Sequence, residues 1–249
     1  MTKESGSTKI RSEEAELTII VPVYNEEACL PKFREEADRF ILTGAVKAEV
    51  LFVNDGSSDS SLEIIQSICK GGGPYHAISL QRNYGLSTAL KAGIDHCDSA
   101  LMGYMDADLQ TSAEDFLTLL PFISEYDLVL GIRRQRQDSS LKKLSSKIAN
   151  TVRRAILKDG IEDTGCPLKI IKREYAKAIP FFVGMHRFLP ALVQIMGGRV
   201  KQVPVRHFPR FGGAPKYHLG NRLIGPFLDT LAVYWMKKRF CLYSVERKI

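Results

Sequence analysis

The sequence predicts a mostly parallel, doubly wound α/β sheet with an amphipathic helical extension at its C-terminal end. Three observations lead there. Short β-branched apolar runs alternate with helical stretches from Leu17 to Gly131, the pattern of strand–helix–strand units. Polar and charged residues follow these runs, where open parallel sheets bind their ligands. The last segment, 218–249, mixes apolar and basic residues without a run long enough to span a bilayer.

The elements follow in order. Leu17–Val23 (LTIIVPV) is β-branched and reads as the first strand, with Glu26 to Leu42 as the first helix. Val50–Val53 is a second buried strand and Ser60 to Cys69 a second helix, closed by the breaker Lys70-Gly71-Gly72-Gly73-Pro74. Tyr75 to Leu80 is a third strand and Leu86 to His96 a third helix. Leu101 to Met105 is a fourth strand, Ala113 to Phe122 a fourth helix and Leu128 to Gly131 a fifth strand. From Arg133 to Lys158 a basic stretch has Leu141, Leu144, Ile148, Val152 and Ile156 at helical spacing. That pattern suits an anionic membrane surface and equally an ordinary helix with a solvated face. Leu223 to Met236, broken by Pro226 and Asp229, reads as a core or interfacial helix. No internal repeat is visible.

Charge divides the chain. Residues 1–130 carry 10 Lys/Arg against 21 Asp/Glu, and residues 131–249 carry 25 against 7. The second half therefore calls for an anionic partner: nucleic acid, a phosphorylated substrate or an anionic membrane. The five cysteines show no C-x-x-C or metal-ligand spacing, which points to reduced thiols and a cytosolic setting. Met1 to Glu16 is polar, lacks the apolar core of a signal peptide and reads as a disordered lead-in.

The most informative stretch is Tyr104-Met105-Asp106-Ala107-Asp108-Leu109-Gln110. Two acids ending a buried strand need a partner, because burying unpaired charge is costly. A hard divalent cation is the natural one, since Mg²⁺ takes one or two carboxylates together with substrate phosphate oxygens. Val53-Asn54-Asp55-Gly56-Ser57-Ser58-Asp59 admits two readings, a tight turn in which Asp55 accepts backbone amides or a contact to a base or ribose. Pro22-Val23-Tyr24-Asn25-Glu26 is likewise either a capped strand end or a nucleoside pocket with Tyr24 and Glu26.

Together with Arg82-Asn83-Tyr84-Gly85, these segments resemble the motifs of the GT-A fold, family 2 glycosyltransferases. The spelling Asp106-Ala107-Asp108-Leu109-Gln110 is similar to the dolichol-phosphate mannose synthase and bacterial polyprenyl-phosphate glycosyltransferase branch. The resemblance covers roughly Leu17 to Tyr217. It implies that Pro22, Tyr24, Glu26, Val53 and Asp55 hold the nucleoside. It places Asp106, Asp108 and Gln110 around Mg²⁺ or Mn²⁺ and the diphosphate, with Ala107 in the same wall. Gly131-Ile132-Arg133 is similar to the family's strand end, which makes Arg133 a candidate phosphate ligand.

In the second half, Val203-Pro204-Val205 is strand-like and leads into Pro209–Tyr217. There Arg210 and Lys216 keep the family's spacing of two cations across a Gly-containing loop, while Pro215 replaces the usual Ser. The loop reads as a lid over phosphates, Arg providing a fork and Lys a point charge. Asp163 and Arg187 fall in segments similar to family ones and are candidates for the acceptor side. The turn and helix-cap readings of these two stay open.

The implied domains are a lead-in (1–16), a glycosyltransferase domain (17–217) and a membrane-proximal tail (218–249). Within the domain, 17–134 is the nucleotide-sugar half and 135–217 the acceptor half. The implied activity is metal-dependent, inverting transfer of a sugar from GDP-mannose or a UDP-sugar to a polyprenyl phosphate. The expected setting is the cytoplasmic face of a membrane, peripherally bound, without nucleic acid. Two alternatives stand beside it. Transfer to a saccharide hydroxyl requires a general base, for which Asp163 is the main candidate. A non-enzymatic module binding an anionic membrane or nucleic acid leaves the Asp106–Asp108 pair without a purpose.

Overall fold

A computed structural model describes residues 15–133, 140–212 and 224–243, without the side chains of 140–148 and 224. Seven strands form one sheet: β1 (Leu17–Val23), β2 (Ala48–Asn54), β3 (Tyr75–Ser79), β4 (Leu101–Tyr104), β5 (Leu128–Arg133), β6 (Lys169–Lys172) and β7 (Val200–Val205). Their order is β3-β2-β1-β4-β6-β5-β7. All neighbours pair parallel except β6, which runs antiparallel between β4 and β5. β1 and β2 are buried almost throughout, as a sheet covered on both faces requires.

The helices are α1 (Leu30–Leu42), α2 (Ser61–Lys70), α3 (Leu86–His96), α4 (Phe116–Leu119), α5 (Ser140–Leu157), α6 (Arg173–Ala178), α7 (Leu189–Ile195) and α8 (Ile224–Arg239). Two apolar clusters result. One gathers Phe33, Phe40, Phe52 and Phe116. The other gathers Ile20, Leu51, Leu90, Leu128 and Leu192, and includes Val233 of α8. α8 thus belongs to the fold, packing on α5 and α7.

Three expectations are corrected. The first helix begins at Leu30, with Pro31 in its first turn, so Glu26 lies in a loop. The expected helix 113–122 is one α-turn flanked by 3₁₀ turns, because Pro121 cannot continue an α-helical hydrogen-bond ladder. Glu16 is tied into the structure, its N–H donating to Lys47 O and its carbonyl accepting from Leu101 N. The rest of the lead-in (1–14) and the boundary near 217 lie outside the described residues.

The chain crosses from β1 to β2 on one side and returns to β4 on the other. The loops after β1 and β4 therefore diverge and open a crevice at their carboxyl ends, the usual ligand position in such sheets.

Candidate active site

β1 and β4 deliver the carboxylates. Beyond β4 the chain turns sharply, with Leu109 in the left-handed region at φ 59°. A branched apolar residue rarely adopts that conformation, and such strain gathers at functional turns. The turn is fastened by Gln110 N donating to Asp108 Oδ1 at 3.2 Å. Asp106 Oδ1 accepts from the Tyr104 hydroxyl at 2.8 Å. Loss of water raises both carboxyls. Asp108 reaches about 6, with the Asp106 charge as the second cause.

Beyond β1, Asn25 takes a left-handed conformation (φ 51°) and Glu26 turns into the crevice, where it meets Arg210. Arg210, from the segment after β7, places Nη2 at 2.5 Å from Glu26 Oε1 and Nη1 at 3.3 Å from Asp108 Oδ2. Its Nε donates to Gly212 O at 2.7 Å, closing the segment on itself. Phe208 N and Phe211 N donate to the Gln110 and Asp108 carbonyls. One guanidinium thus bridges the acids after β1 and β4.

Asp55 directly follows β2 and is buried. Its two oxygens accept from Tyr84 N (2.8 Å) and Gly85 N (2.9 Å), holding the Arg82–Gly85 loop beside the crevice. Burial raises its carboxyl despite these bonds. Pro22 and Tyr24 are half-buried at the same edge, whereas Val53 and Ala107 are buried. On the far side, Arg133 at the end of β5 grips Asp163 with Nε and Nη2, at 2.8 and 2.9 Å. Arg187 is half-buried in the 3₁₀ turn that precedes α7. Lys216 lies outside the described residues.

Lys169 escapes the sequence reading. It sits in β6 opposite Tyr104, fully enclosed, its ammonium donating to Cys166 O and lying 5.2 Å from the Tyr104 ring centroid. Desolvation lowers its pKa, and its charge helps hold Asp106 ionised. The signal available was a lysine inside an apolar run, Leu168-Lys169-Ile170-Ile171. Lone buried cations need a nearby acid or acceptor.

Among the described residues no three His, Cys, Asp or Glu side chains converge as a self-sufficient metal cage. Two buried carboxylates are hard oxygen donors, and loss of water raises both carboxyls. Such a pair fits a divalent ion whose remaining positions come from substrate oxygens and water. No helix of the described residues is long and apolar enough to cross a membrane.

The chain is similar to known proteins. The sequence model of the family described as glycosyl transferase family 2 matches residues 18–180. An undecaprenyl-phosphate 4-deoxy-4-formamido-L-arabinose transferase of Klebsiella pneumoniae is 32% identical over 217 residues, covering 86% of this chain and 66% of that protein. A dodecaprenyl-phosphate galacturonate synthase of Rhizobium johnstonii is 31% identical over 229 residues, covering 90% of this chain and 68% of that one. The chain thus spans about two thirds of the length of these relatives. Among solved structures, glucosyl-3-phosphoglycerate synthase of Mycobacterium tuberculosis with phosphoglyceric acid superposes with a TM-score of 0.69 at 17% identity, over 89% of this chain and 80% of that one. The same enzyme with Mn²⁺, UDP-glucose and phosphoglyceric acid gives 0.68 at 16% identity, with the same coverage. The structural likeness shows the fold, and the family match identifies the activity class: the chain belongs to glycosyl transferase family 2 and is a glycosyltransferase.

Proposed function

We propose that this chain transfers a glycosyl group from a nucleoside-diphosphate sugar to the phosphate of a polyprenyl lipid, working peripherally at the cytoplasmic face of a membrane. The observation that carries this reading is the Arg133–Asp163 pair. Transfer to a saccharide hydroxyl needs a free carboxylate as base, and both Asp163 oxygens already accept from a guanidinium. A phosphate acceptor is ionised at neutral pH and needs no base. It needs cations around it, and the second half of the chain supplies them.

In this scheme Asp106 and Asp108, with the Gln110 side chain, hold Mg²⁺ or Mn²⁺. When bound, the ion stabilises the charge developing on the departing diphosphate. Pro22, Tyr24, Glu26, Val53 and Asp55 wall the nucleoside, and Arg210 and Lys216 close on the diphosphate. Asp55 does so through the Tyr84–Gly85 backbone it holds. An acceptor phosphate oxygen forms a bond to the anomeric carbon while the bond to the diphosphate oxygen breaks. The electron pair leaves with the nucleoside diphosphate, and the anomeric centre inverts. The residues act by positioning and by fixed charge. The names of the two curated relatives, the Mn²⁺ and UDP-glucose in the structural neighbour, and the unpaired cysteines support the acceptor, the donor class and the compartment respectively.

The test is transfer from labelled UDP- and GDP-sugars, with Mn²⁺ or Mg²⁺, to a short polyprenyl phosphate, with Asp108→Ala as the blank. Metal-dependent label in the lipid phase, lost in the blank, is the expected result. Donor binding or hydrolysis with no lipid product overturns the acceptor and returns the choice to a saccharide.

A further inference from the structure

Ser87 and His186 form a side-chain pair that the reaction scheme above does not use. Ser87 is the second residue of α3 and only 4% exposed. Its hydroxyl oxygen accepts from Gly184 N at 2.8 Å and lies 2.7 Å from His186 Nδ1. A serine hydroxyl has one proton and two lone pairs. One lone pair is taken by Gly184, and among the described residues the hydroxyl is bonded to no other acceptor, so its proton points to Nδ1. Nδ1 therefore accepts, and the neutral ring carries its own proton on Nε2. Burial, with the charges of Arg187 and Lys169, pushes the pKa of the ring down to about 3 and keeps it neutral at neutral pH.

The turn that carries this ring is held from several sides. Gly184 takes the left-handed region at φ 104°, where a Cβ would stand 2.6 Å from Asp229 Oδ2 of α8. Met185 and Phe188, which flank His186 and Arg187 in sequence, are buried. Ser87 ties the turn to α3. The ring itself is half-buried and its Nδ1 is taken, so the Nε2–H is the donor it has left to offer. A fixed, neutral donor suits recognition of a sugar oxygen, because a ligand lacking that oxygen leaves the donor unpaired.

The position of the ring in the fold indicates which ligand it meets. Gly85, two residues before Ser87, is bound by Asp55 on the nucleoside side of the crevice. Lys169, whose charge reaches the ring, also acts on Asp106 on the acid side. His186 thus lies between the nucleoside wall and the acid pair. In the scheme above the nucleoside, the ion and the diphosphate each have residues to hold them, and the sugar has none. The sugar is joined to the diphosphate and must stand beside it.

We propose that His186, held in its Nε2–H form by Ser87, donates a hydrogen bond to an oxygen of the sugar being transferred and so helps select the donor. Ser87 acts through it as a positioning residue. The assignment rests on the nucleotide-sugar part of the reading above and is independent of the acceptor. A contact to the diphosphate would serve the bare nucleotide equally, and a purely structural tie would favour neither ligand.

The experiment titrates bare nucleotide and nucleotide sugar calorimetrically, with Mn²⁺ and no acceptor, as UDP against UDP-glucose and GDP against GDP-mannose. The proteins are the full chain, His186→Phe, which removes the donor, His186→Gln, whose amide replaces it, and Ser87→Ala, which releases the ring. For the pair that wild type binds, His186→Phe should raise the dissociation constant of the nucleotide sugar about tenfold and leave that of the bare nucleotide unchanged, the loss of one hydrogen bond. His186→Gln should recover most of the loss, and Ser87→Ala should fall between. Melting temperatures report folding. Nitrogen-15 NMR of the wild-type imidazole needs no variant: Nδ1 should be unprotonated from about pH 5 to 8, and the nucleotide sugar but not the bare nucleotide should shift Nε2. Equal weakening of both ligands in His186→Phe moves the contact to the diphosphate and overturns the assignment. Weakening of neither, or a protonated Nδ1, overturns it as well. If wild type binds neither pair, the donor half of the functional reading falls and this assignment falls with it. If wild type binds the donor but transfers to no lipid phosphate, the acceptor reading falls alone.

Discussion

Asp108 holds its proton to about pH 6 because it is buried and faces the Asp106 charge. A folded pKa above the unfolded value of about 3.9 means that the group favours the fold below pH 4. That contribution is lost as pH rises through about 6. In the proposed scheme a divalent ion would reverse the balance by binding the ionised form. The melting-temperature gain from Mn²⁺ should therefore be small at pH 5 and larger at pH 7.5. Asp108→Asn should raise the melting temperature of the ligand-free protein above pH 6 and abolish the Mn²⁺ gain. A gain that does not depend on pH would remove Asp108 from the ion site. Gly56 makes a second residue-scale case. At φ +66° a Cβ there would stand 2.3 Å from the Arg82 backbone carbon. Gly56→Ala should cost about 1–3 kcal/mol in urea denaturation, from overpacking added to a left-handed conformation. It should also weaken nucleotide binding by moving the Arg82–Gly85 loop. At this scale the sequence was most legible where chemistry is dense: an acid pair after an apolar run, or Asp55 ahead of Gly56. It was mute on Lys169 and Arg153, because whether a cation in an apolar or amphipathic run is enclosed depends on strands and helices brought in from elsewhere.

Long elements announced themselves and short ones did not. β1, β2, α2 and α3 each hold enough residues for a period to show, and their expected limits lie within about two residues of those observed. β6 has four residues and α6 six, too few to distinguish a period from chance. The missed β6 is the one antiparallel strand among the described residues, so the expected topology lacked the element that brings Lys169 behind Asp106. The segment of α8 reads in sequence as a core or interfacial helix, and its two faces give each reading a physical basis. Its inner face buries Thr230 and Val233, and its outer face leaves Leu228 and Trp235 exposed, at 57% and 62%, ahead of Lys237, Lys238 and Arg239. Apolar rings beside cations suit the headgroup boundary of an anionic bilayer, where each basic residue contributes about 1 kcal/mol. Trp235 is the single tryptophan of the chain and reports this contact directly. Its emission should shift to the blue with phosphatidylglycerol vesicles, less with phosphatidylcholine, and the shift should weaken at about 0.5 M salt, where screening is strong. Emission unchanged by either vesicle would detach α8 from the membrane.

On the scale of the molecule, the acid-rich first half and the basic second half meet across the crevice, and Arg210 is where they touch. The charge asymmetry was visible in the sequence, but that a cation from beyond β7 would bridge acids beyond β1 and β4 was not. That contact needs the sheet order, which sets loops far apart in sequence beside one another. The guanidinium answers Glu26 and Asp108 together. In the proposed scheme a diphosphate entering with its cation would offer both sides better partners, the cation for the acids and phosphate oxygens for Arg210, so the segment would exchange ligands without leaving charge unpaired. Arg210→Gln should consequently act twice. Without ligand at pH 7.5 it leaves two acids facing each other and should cost roughly 1–2 kcal/mol, a figure reduced for the partial exposure of the pair. At pH 5, with Asp108 protonated, the cost should shrink. With donor nucleotide and Mn²⁺, its dissociation constant should rise about tenfold, the loss of one charge-assisted contact. Thermal melts at the two pH values and calorimetric titration of the nucleotide separate these effects. A penalty equal at both pH values would mean that Arg210 holds the segment through its Gly212 bond alone, and an unchanged nucleotide affinity would remove it from the lid.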